Sequence, residues 1–453
     1  MTNAISTLVG PIIEGKRKWR CSVRGADDCI YGIPHYGARG VVKFNPVDKS
    51  MTDIGPDLGG FAWCCGVLAK NGCIYCVPCL ENRILKIDTI NGIVSILDML
   101  LPEIGIDIMW KSGALALDNC IYFMPFRARR IMKLDPEGDK ISSVGDDHGC
   151  GYGKYSGTVV DRDGYIYGIP YGSKRIVKYS PRNGTTFNVG GQAEHYSKCV
   201  NGALARDGNI YAVGDKGVLK IDVKNNSHSF IENNTISGWL DVLLGNDGCW
   251  YSPPAISGPL LHVLKFDYEN MNTYAVGDED VGEDGKELWC SGAVASDGVI
   301  YCIPFNASQV LSIDPFKAFT NTLKTNMERC PEELGHLFEW NSDEDKTLFE
   351  TSIRKFGIGK TFQVLEQVFD ECLPHNELCE SKNLYPFMIA ASLDNSALSV
   401  VNMLLRKDPS VLEYFRKSST SLGSQPNKQR VLPIKNATST HTPTNHGITR
   451  PPE

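Results

Sequence analysis

At 453 residues, 42% of them hydrophobic, the chain is too long for one ordinary core and apolar enough to bury two domains or one large repeat array. A formal net charge of −7 and a pI near 5.8 supply no overall attraction to nucleic acid or to an anionic membrane, so neither is expected as a partner. The 44 Gly, 24 Pro and 18 Tyr favour a turn-rich β protein over a helical one.

The N-terminal stretch MTNAISTLVGPIIEGKRKW lacks the order of a signal peptide, and no apolar run approaches the length of a membrane-spanning helix. A cytoplasmic, reducing location is therefore expected, with the sixteen cysteines mostly free thiols. Cys29, Cys73, Cys120 and Cys249 each precede a repeated tyrosine by two residues, which suits a small apolar side chain in a packed strand.

Those tyrosines stand at 31, 75, 122, 167, 211, 251 and 301, seven units at intervals of 44, 47, 45, 44, 40 and 50 residues. A period in the mid-forties is that of four-stranded propeller blades. Eight residues before each first turn position stand Trp19, Trp63, Trp110, Tyr155, Cys199, Trp239 and Trp289. A small-residue segment follows each, as in Gly113, Ala114 and Ala116, and suits an innermost strand where seven backbones crowd around one axis. After an Asp-Gly type turn comes the tyrosine strand, then a third strand such as ILKID at 84–88 or VLKFD at 263–267, apolar on both faces as a sheet between two neighbours requires. A short fourth strand ends near Val-Gly, and residues 5–10, ISTLVG, share its pattern ahead of the first unit. That segment is expected to close the ring in the last blade, leaving 318–324 as linker.

The fold expected over residues 1–325 is thus mainly β, a seven-bladed β-propeller of four-stranded blades, monomeric, followed by a small α-helical module. In that module, over 331–415, apolar residues at helical spacing predict helices over 344–356 and 360–373. Residues 384–409 resemble one ankyrin-type helix pair, with Tyr385 and Met388 in place of the family's Thr and His. The tail, 416–453, has the composition of a disordered segment. In architecture the repeats resemble WD-repeat and kelch proteins, without the GH and WD dipeptides of the first or the paired glycines of the second. The unit at 297–314 is similar to the DGxIYxIPxxAxxVLxID motif of algal and protist repeat proteins.

Candidate chemistry is sparse. Cys73, Cys76 and Cys79 have metal-like spacing, but on an extended strand Cys76 points away from the other two. Residues 149–154, GCGYGK, lack the spacing, the Ser or Thr and the helix of a phosphate loop, and read as a connection between blades. No metal and no cofactor is expected. The best binding candidates are two rings on the face where first strands begin. One comprises Trp19, Trp63, Trp110 and Trp289; the other comprises Arg39, Arg83, Arg130 and Arg175, each five residues after a strand-ending proline. Gly217, His262 and Gln309 stand near the matching place in the last three units. Arginines and aromatics together suit a protein or peptide partner with carboxylate or phosphate groups, which makes a non-enzymatic interaction scaffold the first expectation. The repeats also resemble, at the level of Asp-Gly-Ile-Tyr steps, streptogramin lyases and the gluconolactonase group. That resemblance implies the alternative, a lyase or lactonase-like hydrolase with a metal over the central channel.

Overall fold

In a computed structural model the structure describes residues 5–79, 82–98, 101–103, 108–192, 198–205, 207–214, 217–232, 241–245, 247–254, 262–267, 272–276, 288–315, 317, 340–341 and 346–347. Seven four-stranded antiparallel sheets, the blades, are strung along the chain in sequence order. Blade 1 is representative: Trp19–Arg24, Ile30–Pro34, Val41–Phe44 and Met51–Ile54. First strands of neighbouring blades lie beside one another, blades 5 and 6 meet through Asn201 and Asp241, and those of blades 1 and 7 meet as well, so the array is a closed ring.

Closure follows the expectation from the N-terminal pattern. Ile5–Val9 pairs antiparallel with Val310–Asp314 and completes blade 7 as its outermost strand. The seam between blades 1 and 7 is then bonded along its length. Ile13 N donates to Ser308 O at 2.7 Å, Lys18 Nζ to Ala307 O at 2.7 Å, and Ser22 Oγ to Ser291 O at 3.3 Å. The chain ends thus remove the sheet edges that an open array would expose.

In every blade but the fourth, one turn residue has two tasks. In blade 1, Asp27 Oδ1 accepts from Cys29 N at 3.3 Å, shaping the turn, while its Oδ2 accepts from the Tyr31 hydroxyl at 2.9 Å and pairs with Lys43 Nζ at 2.6 Å. Blades 3 and 6 repeat the set with Asp118, Tyr122 and Lys133, and with Asp247, Tyr251 and Lys265. Two blades lack one member, and the next blade supplies it. Blade 2 has Asn71 where the others have Asp, and Asp139 of blade 3 accepts from Tyr75 at 2.7 Å and from Lys86 at 2.7 Å. Blade 7 has Ser312 where the others have Lys, and Lys49 of blade 1 donates to Tyr301 at 2.6 Å. Lys49 and Asp139 occupy the same place in the turn between third and fourth strands, both with positive φ.

Packing between blades uses both faces of each sheet. Tyr75 and Val77 pack with Trp110 and Met132 of blade 3, whereas Ile74 and Cys76 pack with Tyr31 and Trp63. Cys76 therefore points away from Cys73 and Cys79, as strand pleating requires. Cys29, Cys73, Cys120 and Cys249 are all buried. Eleven described cysteines are free; Cys64 and Cys79 form a disulfide with Cα atoms 5.1 Å apart.

The propeller lies within the first of the two units into which the chain divides, Met1–Pro374 and His375–Glu453. Within the span read as helical, Lys346–Thr347 instead pairs with Trp340–Asn341 as a short antiparallel ladder. The remainder of the expected helical module, the ankyrin-like pair and the tail lie outside the described residues.

Candidate binding face and axial channel

At the upper face, where first strands start, the tryptophans are buried. Trp63, Trp110 and Trp289 are 1% exposed and Trp19 6%, each packed against the preceding blade. Every one of these indole N–H groups donates to a carbonyl of the loop between second and third strands: Trp63 to Arg83 O (3.1 Å), Trp110 to Arg130 O (3.1 Å), Trp289 to Gln309 O (2.9 Å) and Trp19 to Gly40 O (3.0 Å). In blade 4 a relay replaces the indole. Tyr155 and Ser173 hydroxyls meet at 3.5 Å, and Ser173 Oγ donates to Arg175 O at 2.9 Å. The aromatic ring of the repeat thus holds in place the backbone from which the arginines project.

This pattern corrects the register of blade 1. Its indole reaches Gly40, so Gly40 is the counterpart of Arg83, Arg130 and Arg175, and Arg39 is the counterpart of Arg129. The ion pairs agree: Arg39 binds Asp57 and Arg129 binds Asp147, each eighteen residues on. Counting from the proline failed because the blade 1 loop places one more residue before its third strand. Arg39, Arg83, Arg130 and Arg175 are all exposed. Arg130 donates to Gly145 O at 2.6 Å, whereas no described residue bonds the guanidinium groups of Arg83 and Arg175.

Between blades 3 and 5 the same face carries an aromatic and cationic cluster that the residue pattern did not reveal. Phe126 packs against Tyr152 and Tyr171 with ring centres 6.0 and 5.6 Å away. Lys111 and Lys198 both approach the Tyr171 ring, at 5.6 and 5.9 Å, and Arg127 lies 4.0 Å over Tyr152. Tyr152 is 69% exposed. The usable signal was positional, since Phe126 and Tyr171 directly follow strand-ending prolines and Lys111 directly follows the ring tryptophan. The connection expected at 149–154 does join blades 3 and 4, and the buried Lys154 ammonium faces Arg127 O (3.3 Å) and Gly149 O (3.2 Å). Burial, together with Arg20 and Arg17 nearby, depresses the imidazole of buried His35 to about 4.

Just below the mouth, the residue two places after each repeat aromatic, or after Cys199 in blade 5, lines the axis: Cys21, Cys65, Ser112, Gly157, Asn201, Asp241 and Ser291 in blades 1 to 7. Asp241 Oδ1 accepts from Asn201 Nδ2 at 2.8 Å and from Val242 N at 2.8 Å, and its carboxyl also bonds the Ser291 side chain. A Cβ on Gly157 would lie 2.6 Å from Asn201 Oδ1, so the glycine leaves room for the amide that orients Asp241. Burial raises the Asp241 carboxyl from its ordinary value and pushes the Cys21 thiol up to about 11. Among the described residues no three His, Cys, Asp or Glu side chains are grouped as metal ligands.

No protein-family model and no curated protein matches the chain by sequence. Its fold is nevertheless shared with solved structures. A streptogramin B lyase superposes with a TM-score of 0.54 at 12% identity, over 69% of this chain and 98% of that one. Virginiamycin B lyase from Staphylococcus aureus, in an inactive variant with quinupristin, superposes with a TM-score of 0.53 at 12% identity, over 68% of this chain and 99% of that one. The extracellular domain of a putative one-component system from B. thetaiotaomicron gives 0.50 at 12% identity, over 68% of this chain and 40% of that one. At such identities the likeness establishes the seven-bladed fold alone.

Proposed function

We propose that the propeller is a non-enzymatic interaction module that receives an acidic segment of a partner protein or peptide on its upper face, across blades 2 to 5. One observation carries this reading. Arg83 and Arg175 are exposed and not bonded by any described residue, and they flank the Phe126, Tyr152 and Tyr171 cluster with its Lys111, Lys198 and Arg127 cations. Aromatic area provides anchoring, guanidinium groups provide bidentate contacts to carboxylates, and the indole to carbonyl bonds pre-order the loops that carry them. The reading assigns Arg83, Arg130 and Arg175 to contact, and Trp63 and Trp110 to holding the contact loops.

The test is a displayed library of acidic peptides selected against the full chain, followed by anisotropy titration of the recovered sequence. Arg83→Glu with Arg175→Glu is expected to weaken binding at least about a hundredfold, because two charge-assisted contacts are lost and two repulsions added. Equal binding by the variant would remove the face from consideration. The alternative reading, a lyase or lactonase-like hydrolase with a metal over the channel, is tested separately by turnover of lactones with and without added divalent metal.

A further inference from the structure

Asp241 is out of keeping with its surroundings. Of the seven residues in the axial ring it is the only carboxylate, and the other six carry thiol, hydroxyl, amide or no side chain. Its oxygens are held by Asn201, Val242 and Ser291, all neutral donors, and no Lys or Arg among the described residues lies within ion-pairing distance. Lys111, one residue earlier in its own strand, contributes only a longer-range field and directs its ammonium over Phe126 and Tyr171. Yet Cys21, Cys65, Ser112, Asn201 and Asp241 each keep part of their surface accessible although protein surrounds them, so the bore beside the carboxylate is not filled by side chains.

A carboxylate set in protein without a counter-ion costs stability, and such groups mark sites where a cation is received. Here the geometry is prepared for it. Two donors fix Oδ1, Ser291 steadies the group from the adjacent blade, and Gly157 has no side chain to displace Asn201. Among the described residues the mouth above it presents cations, with Lys111 and Lys198 around Tyr171 and Arg20 beside His35. A bare cation is repelled there; one that trails an anionic group is not.

We propose that the axial throat is a binding site for one primary ammonium group on an alkyl arm, received by Asp241, with a carboxylate behind it held by the cations of the mouth. A free ω-amino acid and a lysine side chain within an acidic peptide share this chemistry. The site is distinct from the Arg83 and Arg175 surface and goes beyond the partner-binding reading.

The experiment is calorimetric titration of the full chain with 5-aminopentanoate, its N-acetylated form, pentanoate, and the capped tripeptide Glu-Lys-Glu. 5-Aminopentanoate or the tripeptide is expected to bind, and which of them does so identifies the source of the ammonium. N-acetylation is expected to abolish binding, and pentanoate to bind weakly and equally to wild type and to Asp241→Asn. Asp241→Asn is expected to weaken the ammonium ligands at least about tenfold, as for loss of a charge-assisted hydrogen bond, with a melting temperature at or above that of wild type. Arg83→Glu with Arg175→Glu should bind 5-aminopentanoate as wild type does, which separates this site from the outer face. Undiminished binding after N-acetylation or in Asp241→Asn would overturn the proposal, as would no binding of either ammonium ligand. The acetylated probe keeps the test decisive even if the variant fails to fold.

Discussion

Exchanging Asn71 and Asp139 tests whether the tyrosine-lysine lock is a shared requirement that neighbouring blades meet for one another. Among the described residues, the carboxylate that bonds both Tyr75 and Lys86 of blade 2 is that of Asp139 of blade 3, at 2.7 Å from each. Asp139→Asn keeps an acceptor for the tyrosine and tolerates the positive φ of 47°, but it removes the charge facing Lys86. A charge-assisted bond between groups 22% and 33% exposed is worth about 1 to 2 kcal/mol after allowance for solvent. Asn71→Asp alone sets two carboxylates around one tyrosine and is expected to cost about 1 kcal/mol. The exchanged double variant restores the arrangement of blades 1, 3 and 6, where Asp27, Asp118 and Asp247 serve their own blades. Its stability should return to within about 0.5 kcal/mol of wild type, a coupling of about 2 kcal/mol. Urea denaturation of the four proteins gives the cycle. Additive losses would mean that the two positions act independently and that the lock is a coincidence of repeat ancestry.

Three further outcomes are expected. His35 is depressed to about 4 by burial and by nearby Arg20 and Arg17. Between about pH 6.5 and 4 the unfolded chain then takes up a proton that the native state refuses, so stability falls with pH in that window by up to about 3 kcal/mol. His35→Phe should flatten that limb of a pH-dependent melting curve, and an unchanged slope would assign the acid sensitivity elsewhere. Trp110→Phe keeps the ring but removes the donor to Arg130 O, so a loss near 1 kcal/mol is expected, with weaker acidic-peptide binding through a loosened loop; a loss of about 3 kcal/mol or more would show packing to dominate. Reducing the Cys64–Cys79 bridge, which closes a separation of 15 residues, should lower stability by up to about 3 kcal/mol in denaturant titrations, and no change on adding reductant would mean that the link contributes nothing.

Much of the fold was legible because its causes are local. The Asp-to-tyrosine spacing of four residues is both a turn and a lock, so each Asp-Gly-Ile-Tyr step announces a strand pair, and the outlying ISTLVG announces the closing strand. Helical periodicity misled at Lys346–Thr347, where a short ladder forms instead. For the candidate site, the arginines were found by position, but Arg39 was placed one residue out because loop length, invisible to spacing from the proline, shifts the register. The tryptophans share one repeat position in the sequence, whereas what they touch, a carbonyl twenty residues on, is a property of the folded loop.

The chain's pattern by itself determines seven blades, four strands in each, and the alternation that turns Tyr75 one way and Cys76 the other, since pleat, turn chemistry and burial act over a few residues. Only the closed tertiary structure decides that Asp139 completes blade 2, that Lys49 completes blade 7, and that Asn201, Asp241 and Ser291 meet at the axis. Those residues come from different blades, and only the packing of blade on blade, with ring closure in the case of Lys49, brings them within reach of a hydrogen bond.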